Sequence, residues 1–189
     1  MKPPRPTEIA DVRSATLQIA NARPLPLTYV LEPWGEIYVL RPGRSFTLVS
    51  QGPEGNYVEL CLDDDSIESW SATGSTVRLF DADQEVGAST PLSRPRVPQY
   101  PSSIRRPTLP LAPGATYGVK VLLINGGGRA LTVSVSTASQ LRVLAPAAHC
   151  ALVAEGRVEA PVEILLGTDS VAMSGWLGSQ LTLLEQEGH

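Results

Sequence analysis

Sliding this 189-residue chain against itself by 104 positions pairs residues 17–84 with 121–188 without a gap, and 17 of those 68 pairs are identical. Average residue usage gives about one match in sixteen by chance. A quarter of positions matching therefore marks two copies of one unit. The identities include Asn21/Asn125, Leu27/Leu131, Leu48/Leu152, Val58/Val162, Glu59/Glu163, Leu62/Leu166, Asp65/Asp169 and Leu79/Leu183. Unmatched pairs often stay apolar, as in Ile19/Leu123, Ile37/Leu141 and Leu60/Ile164. Whatever the fold, one short unit must be able to build it twice.

The unit is a β-structure. Apolar residues recur at every second position in "ATLQIAN", "LTYVL", "EIYVL", "SFTLVS", "NYVELCL" and "STVRLF", each bounded by Pro, Gly, Asn, Asp or Ser. Period-two alternation in short runs with turn residues between them is the strand signature of sandwiches and barrels. No window of helical length shows a helical period. In "YVELCL" the alternation puts Val58, Leu60 and Leu62 on one face, and the copy places Val162, Ile164 and Leu166 there, so that face is core. The expectation is an all-β chain of two tandem antiparallel β-sandwich repeats, each of about seven strands.

Between the copies, Val86 to Gly114 holds seven of the 17 prolines. Proline lacks the N–H that a sheet interior needs and favours extended polyproline conformations. The expected organisation is an extended N-terminal arm over 1–14, repeat 1 over 15–85, a proline-rich linker over 86–115 and repeat 2 over 116–189. "RPT" stands in both proline-rich segments, at Arg5 to Thr7 and Arg106 to Thr108. Four arginines, Arg94, Arg96, Arg105 and Arg106, make the linker basic in a chain of net charge −4. They are either solvated charge on a spacer or bidentate partners for carboxylates of another subunit.

The stretch "VLEPWGEIYVLRPG", Val30 to Gly43, places a hairpin tip at "EPWGE", with Pro33 and Gly35 supplying the turn and Glu32 and Glu36 flanking Trp34. The copy carries "STASQ" there, Ser136 to Gln140. A residue that the fold itself demanded would have survived the duplication. Trp34 is thus a local cap over a sheet edge or a contact residue particular to the first copy. With "VELCLDDDSIESW" and "STVRLFD", this motif resembles short, uncharacterised β-rich bacterial proteins with an E-P-W-G-E tip and a following P-G turn. The resemblance covers Thr16 to Asp83, about a third of the chain. It implies a bacterial or bacteriophage origin and no function, and the second copy departs from it at the tip.

Chemistry-bearing patterns are sparse. The histidines are His149 and His189, and Cys150 alternates to the opposite side of a strand from His149, so no Cys-His or Ser-His-Asp arrangement forms. Cys61 and Cys150 lack metal-site or disulfide-framework spacing and are expected as free buried thiols. "LDDDSIE" holds Asp63, Asp64, Asp65 and Glu68, but only Asp169 persists in the copy, so Asp65-Ser66 and Asp169-Ser170 read as turn determinants rather than a calcium loop. Gly126 to Gly128 sits between strands and is expected as a hairpin turn. No metal or cofactor is expected.

The acidic balance excludes a nucleic-acid partner, which needs cationic surface to displace counterions. No stretch approaches the roughly 20 apolar residues of a membrane span, and "MKPPRPTEIADVR" lacks a secretory apolar run. The chain is therefore expected in the cytoplasm, or in a particle assembled there. The function expected is non-catalytic: an accessory or decoration-type subunit of a larger bacterial or bacteriophage particle, contacting other protein subunits or further copies of itself. The alternative is a carbohydrate-type binding module using Trp34, Tyr38, Tyr57 or Trp70 as stacking platforms.

Overall fold

A computed structural model describes residues 13–52, 57–71, 74–89, 119–136, 140–155, 161–175 and 180–184. Arg94, Arg96, Arg105 and Arg106, with residues 1–12 of the expected arm and residues 90–118, lie outside these described residues, whereas Arg13 and Ser14, placed in the arm from the sequence, belong to β1.

Eight strands come from the first half of the chain: β1 (Arg13–Asn21), β2 (Leu27–Glu32), β3 (Glu36–Leu40), β4 (Ser45–Gly52), β5 (Val58–Leu62), β6 (Ser66–Ser71), β7 (Thr76–Asp81) and β8 (Gln84–Ser89). Seven come from the second: β9 (Val119–Asn125), β10 (Leu131–Val135), β11 (Gln140–Leu144), β12 (His149–Glu155), β13 (Val162–Leu166), β14 (Ser170–Ser174) and β15 (Gln180–Leu184). The chain is all-β, as the period-two runs predict. Val86 to Ser89, placed in the linker from the sequence, belong to β8. No helix among the described residues is long and apolar enough to cross a membrane.

The strands form two sheets, ordered β11-β10-β14-β13-β1-β4-β7-β8 and β15-β12-β9-β5-β6-β2-β3. The expectation of purely antiparallel sheets does not hold. Both are mixed, with parallel pairing at β2·β6, β10·β14, β1·β13 and β5·β9. The physical reason lies in the connections. β1 and β2 sit in different sheets, as do β9 and β10, so the loops after β1 and β9 cross between layers instead of closing hairpins. Strands returning to a sheet after such a crossing can lie parallel to a neighbour. Gly126 to Gly128 belongs to one of these crossings and is not the hairpin turn that its position between two strands suggested.

Each sheet draws strands from both halves of the chain. The two joints are β1·β13, with Leu17 opposite Val162, and β5·β9, with Val58 opposite Val121. Leu17 and Val121 are 104 positions apart, as are Val58 and Val162, so the offset exchanges one joint for the other.

Alternation then decides burial. In β13 Val162, Ile164 and Leu166 are buried while Glu163 and Leu165 are exposed. Val58, Leu60 and Leu62 occupy the same core from β5, and Leu48 and Leu152 are buried in it from β4 and β12. Tyr29 of β2 meets Phe46 of β4 edge-on, with ring centroids 5.4 Å apart, so the two sheets interlock across the core. Full burial of each such aliphatic side chain stabilises the fold by about 1.5–3 kcal/mol. Leu122, Ile124 and Ala151 form a second buried cluster, with Cys61 against it. They alternate with the core residues Val121, Leu123, Cys150 and Leu152, and so belong to the other face of the same sheet.

Candidate interaction surface

The hairpin tip forms where the sequence places it, with Glu32 ending β2, Glu36 opening β3 and residues 33–35 turning between them. Gly35 takes φ +68°, a left-handed conformation that a side chain would strain. Trp34 is half-buried and rests on the main core, in the position of a cap. Tyr38 rests on the same core, edge-on to Phe46 at 6.2 Å. Its hydroxyl donates to the Glu36 carboxylate at 2.6 Å, and the carbonyl of Val86 lies 3.1 Å from it. Burial, followed by this hydrogen bond, pushes the Tyr38 phenol up to about 12.

The four aromatic residues that could stack on a sugar are not presented on one face. Trp34 and Tyr38 lean on the core. Trp70 follows the inward-facing Ile67 and Ser69 by alternation and turns outward beside Glu68. Tyr57 stands ahead of β5.

β3 and β11 are two of the four terminal strands, one in each sheet and at opposite ends of the strand order. Ile37 and Val39 on β3 are 69% and 60% exposed, and Leu141 and Val143 on β11 are 69% and 66% exposed. These four occupy equivalent positions at the 104-residue offset. Their inward neighbours are Glu36, Tyr38 and Leu40 on β3 and Arg142 and Leu144 on β11. The other two terminal strands are occupied differently. Val86 of β8 faces the Tyr38 hydroxyl, and the side-chain oxygen of Gln140 accepts from the Leu183 N–H of β15 at 3.1 Å. The Arg78–Glu85 ion pair bridges β7 to β8 beside an irregularity in their register.

A second cluster sits where the two halves meet. Arg23, in the crossing after β1, is 8% exposed. Its Nε donates to the Gly167 carbonyl at 2.8 Å and its Nη1 to the Asp64 carbonyl at 2.6 Å, tying the turn after β13 to the turn after β5. Burial, then the nearby Arg129 cation, lowers its pKa, while Asp169, Asp64 and Asp65 act in the opposite direction. Arg129 pairs with Asp169 at 3.0 Å and approaches Asp64 at 3.8 Å. Gly126 and Gly127 donate to the Leu62 carbonyl at 2.7 and 3.1 Å. A Cβ on Gly126 would lie 3.0 Å from Cys61 Sγ, and one on Gly127 would lie 3.0 Å from Asp64 Oδ1, so the glycine run permits this close approach. The remaining space is a shallow polar dimple.

Asp65 and Asp169 act as turn residues through their carbonyls, which accept from Thr28 and Thr132 at 3.0 and 2.9 Å. Cys150 is buried on the inner face and Cys61 lies against the outer cluster, so the two free thiols stand on opposite sides of one sheet. Burial pushes their pKa values up to about 12 and about 11, and a thiol held protonated is a poor nucleophile. Among the described residues no cluster of three or more His, Cys, Asp or Glu could hold a metal ion.

Of the residues singled out in the sequence, the structure brings Glu32, Trp34 and Glu36 together at one tip. The exposed aliphatic pairs and the Arg23 staple were missed. The aliphatic pairs could have been found as apolar positions kept in both copies, but apolar alternation alone points such residues inward. Arg23 could have been noticed because it faces a glycine, Gly127, in the self-alignment. Comparison with protein-family models, with curated proteins and with solved structures returned no match in any of the three, so similarity assigns neither a family nor a function to this chain.

Proposed function

We propose that this protein is a non-catalytic assembly subunit, an accessory or decoration-type component of a larger bacterial or bacteriophage particle, built as a fused pair of one repeated β-unit. The carrying observation is the pair of terminal strands at opposite ends of the molecule, each presenting two exposed aliphatic residues at equivalent positions. Exposed β-branched and leucine side chains on an edge strand are a liability that isolated proteins blunt with charge, proline or a bulge. Their presence at both ends fits a molecule that meets partners on both sides.

The doubling supports the same reading. Asn21 and Asn125, Thr28 and Thr132, and Ala22 and Gly126 make matching hydrogen bonds 104 positions apart. A fused pair offers two like surfaces in fixed relation, which suits contact with a repetitive array. The basic proline-rich linker, with Arg94, Arg96, Arg105 and Arg106, would add carboxylate-binding contacts along the array.

Gradient sedimentation of a lysate from the source cell, with the chain followed by antibody, tests this. The subunit should travel with a fraction far heavier than its 20.1 kDa, and high salt should release part of it. A chain found only at the position of free monomer would contradict the reading.

A further inference from the structure

We infer that the occupant of the two open edges is a second copy of this chain, bound head to tail, with β3 of one molecule pairing antiparallel to β11 of the next. This rests on the assembly reading above and names its partner. Among the described residues β3 pairs only with β2 and β11 only with β10, so each leaves one side of its backbone ladder open. An open ladder flanked by aliphatic side chains is the template for strand addition.

Side-chain facing restricts the register. Ile37 and Val39 point outward on β3, as Leu141 and Val143 do on β11. Setting Tyr38 opposite Arg142 of the next copy aligns Ile37 with Val143 and Val39 with Leu141, giving two apolar cross-strand pairs on one face. On the other face Arg142 stands across from Tyr38 and diagonal to Glu36, whose carboxylate Tyr38 already holds. A long side chain spans that diagonal.

Charge then selects the partner edge. Pairing β11 with β11 in the same centred register sets Arg142 directly against Arg142, and like charges opposite one another destabilise a ladder. Pairing β3 with β3 sets Tyr38 against Tyr38 with two Glu36 carboxylates and no cation from these strands. Only β3 with β11 joins the acidic edge to the basic one. The contact is heterologous, so it propagates from molecule to molecule as a filament or a closed ring. The β8 and β15 edges are poorer sites, because Tyr38 and Gln140 reach across the sandwich to their backbone groups.

Sedimentation equilibrium of the full chain, across the micromolar to near-millimolar range, reads this out with two doubly substituted variants. Ile37→Lys with Val39→Lys blocks β3, and Leu141→Lys with Val143→Lys blocks β11; all four side chains are exposed, so both variants should fold. Wild type should grow in mass with concentration and each variant alone should remain monomeric. An equimolar mixture should form a species of twice the 20.1 kDa chain and stop there, because each variant keeps the edge the other needs. A β3-blocked variant that self-associates like wild type would overturn the head-to-tail contact.

Hydrogen exchange on unmodified protein removes any dependence on how the variants fold. Amides of 36–40 and 140–144 should gain protection as concentration rises, while those of 84–89 and 180–184 should not. Concentration-independent exchange at 36–40 and 140–144, or a wild-type chain monomeric throughout, would overturn the inference. If that monomer still travelled with a heavy fraction of the lysate, the assembly reading would stand and only the second copy would be wrong.

Discussion

Asn21 and Asn125, 104 positions apart, hold their surroundings in the same way: the Asn21 amide donates to Leu25 and Leu40 carbonyls at 3.0 and 2.9 Å, and the Asn125 amide to Arg129 and Leu144 carbonyls at 2.8 and 3.0 Å. Each side-chain oxygen accepts a backbone N–H two residues on, from Arg23 at 2.9 Å and Gly127 at 3.2 Å. Both asparagines are buried, so truncation strands carbonyls away from water. Asn21→Ala and Asn125→Ala should each cost about 1–3 kcal/mol. Urea unfolding should find the two losses within about 1 kcal/mol of each other, whereas a silent Asn125→Ala would break the equivalence.

Arg23 has no counterpart in the second copy, so its removal tests the joint directly. Arg23→Ala leaves the Gly167 and Asp64 carbonyls without their donor and should cost about 1–3 kcal/mol. At this chain length that lowers the melting temperature by roughly 2–4 °C per kcal/mol. Arg23→Lys should recover only part of the loss, since an ammonium is a point charge and lacks the planar fork that reaches two carbonyls at once. Full recovery with lysine would mean that charge alone acts there.

The strands were legible in the sequence because period-two alternation is a local signal: Val162, Ile164 and Leu166 are buried as their pattern required. The hairpin tip at Trp34 was legible through Pro33 and Gly35. How the sheets continue from one half to the other was not, because the joint at Leu17 and Val162 links residues far apart in sequence and pairing partners leave no mark on either strand. The facing of Ile37 and Val39 is not local either: their apolar alternation matches that of core strands, yet Tyr38 and Leu40 take the inward face and the edge position leaves the aliphatic pair in solvent.

Trp34 rests half-buried on the core beside Tyr38. Trp34→Ala should lower stability by roughly 1–2 kcal/mol, about half of what a fully buried aromatic contributes. Urea titration of the variant checks this, and an unchanged midpoint would show that the indole caps nothing.

The thiols predict the alkaline behaviour. Burial raises the Cys150 and Cys61 pKa values above the ordinary 9.0, to about 12 and about 11. Between pH 9 and these values the unfolded chain has released protons that the folded chain still holds, so folding stability is full below pH 9 and declines as pH rises. The Tyr38 phenol, raised to about 12 from 10.0, adds to the decline above pH 10. Urea midpoints at pH 7, 9 and 10.5 should fall in that order, and Cys150 should react with a thiol reagent only after unfolding. Rapid labelling of Cys150 in the native chain at pH 8 would contradict its placement.

The two halves share both sheets through β1·β13 and β5·β9, and neither half can melt without opening those ladders. Calorimetry of the full chain measures this most directly. A single transition should appear, with calorimetric and van't Hoff enthalpies equal, and Arg23→Ala should move that whole transition downward. Two separable transitions, or a calorimetric enthalpy near twice the van't Hoff value, would show that the halves unfold independently.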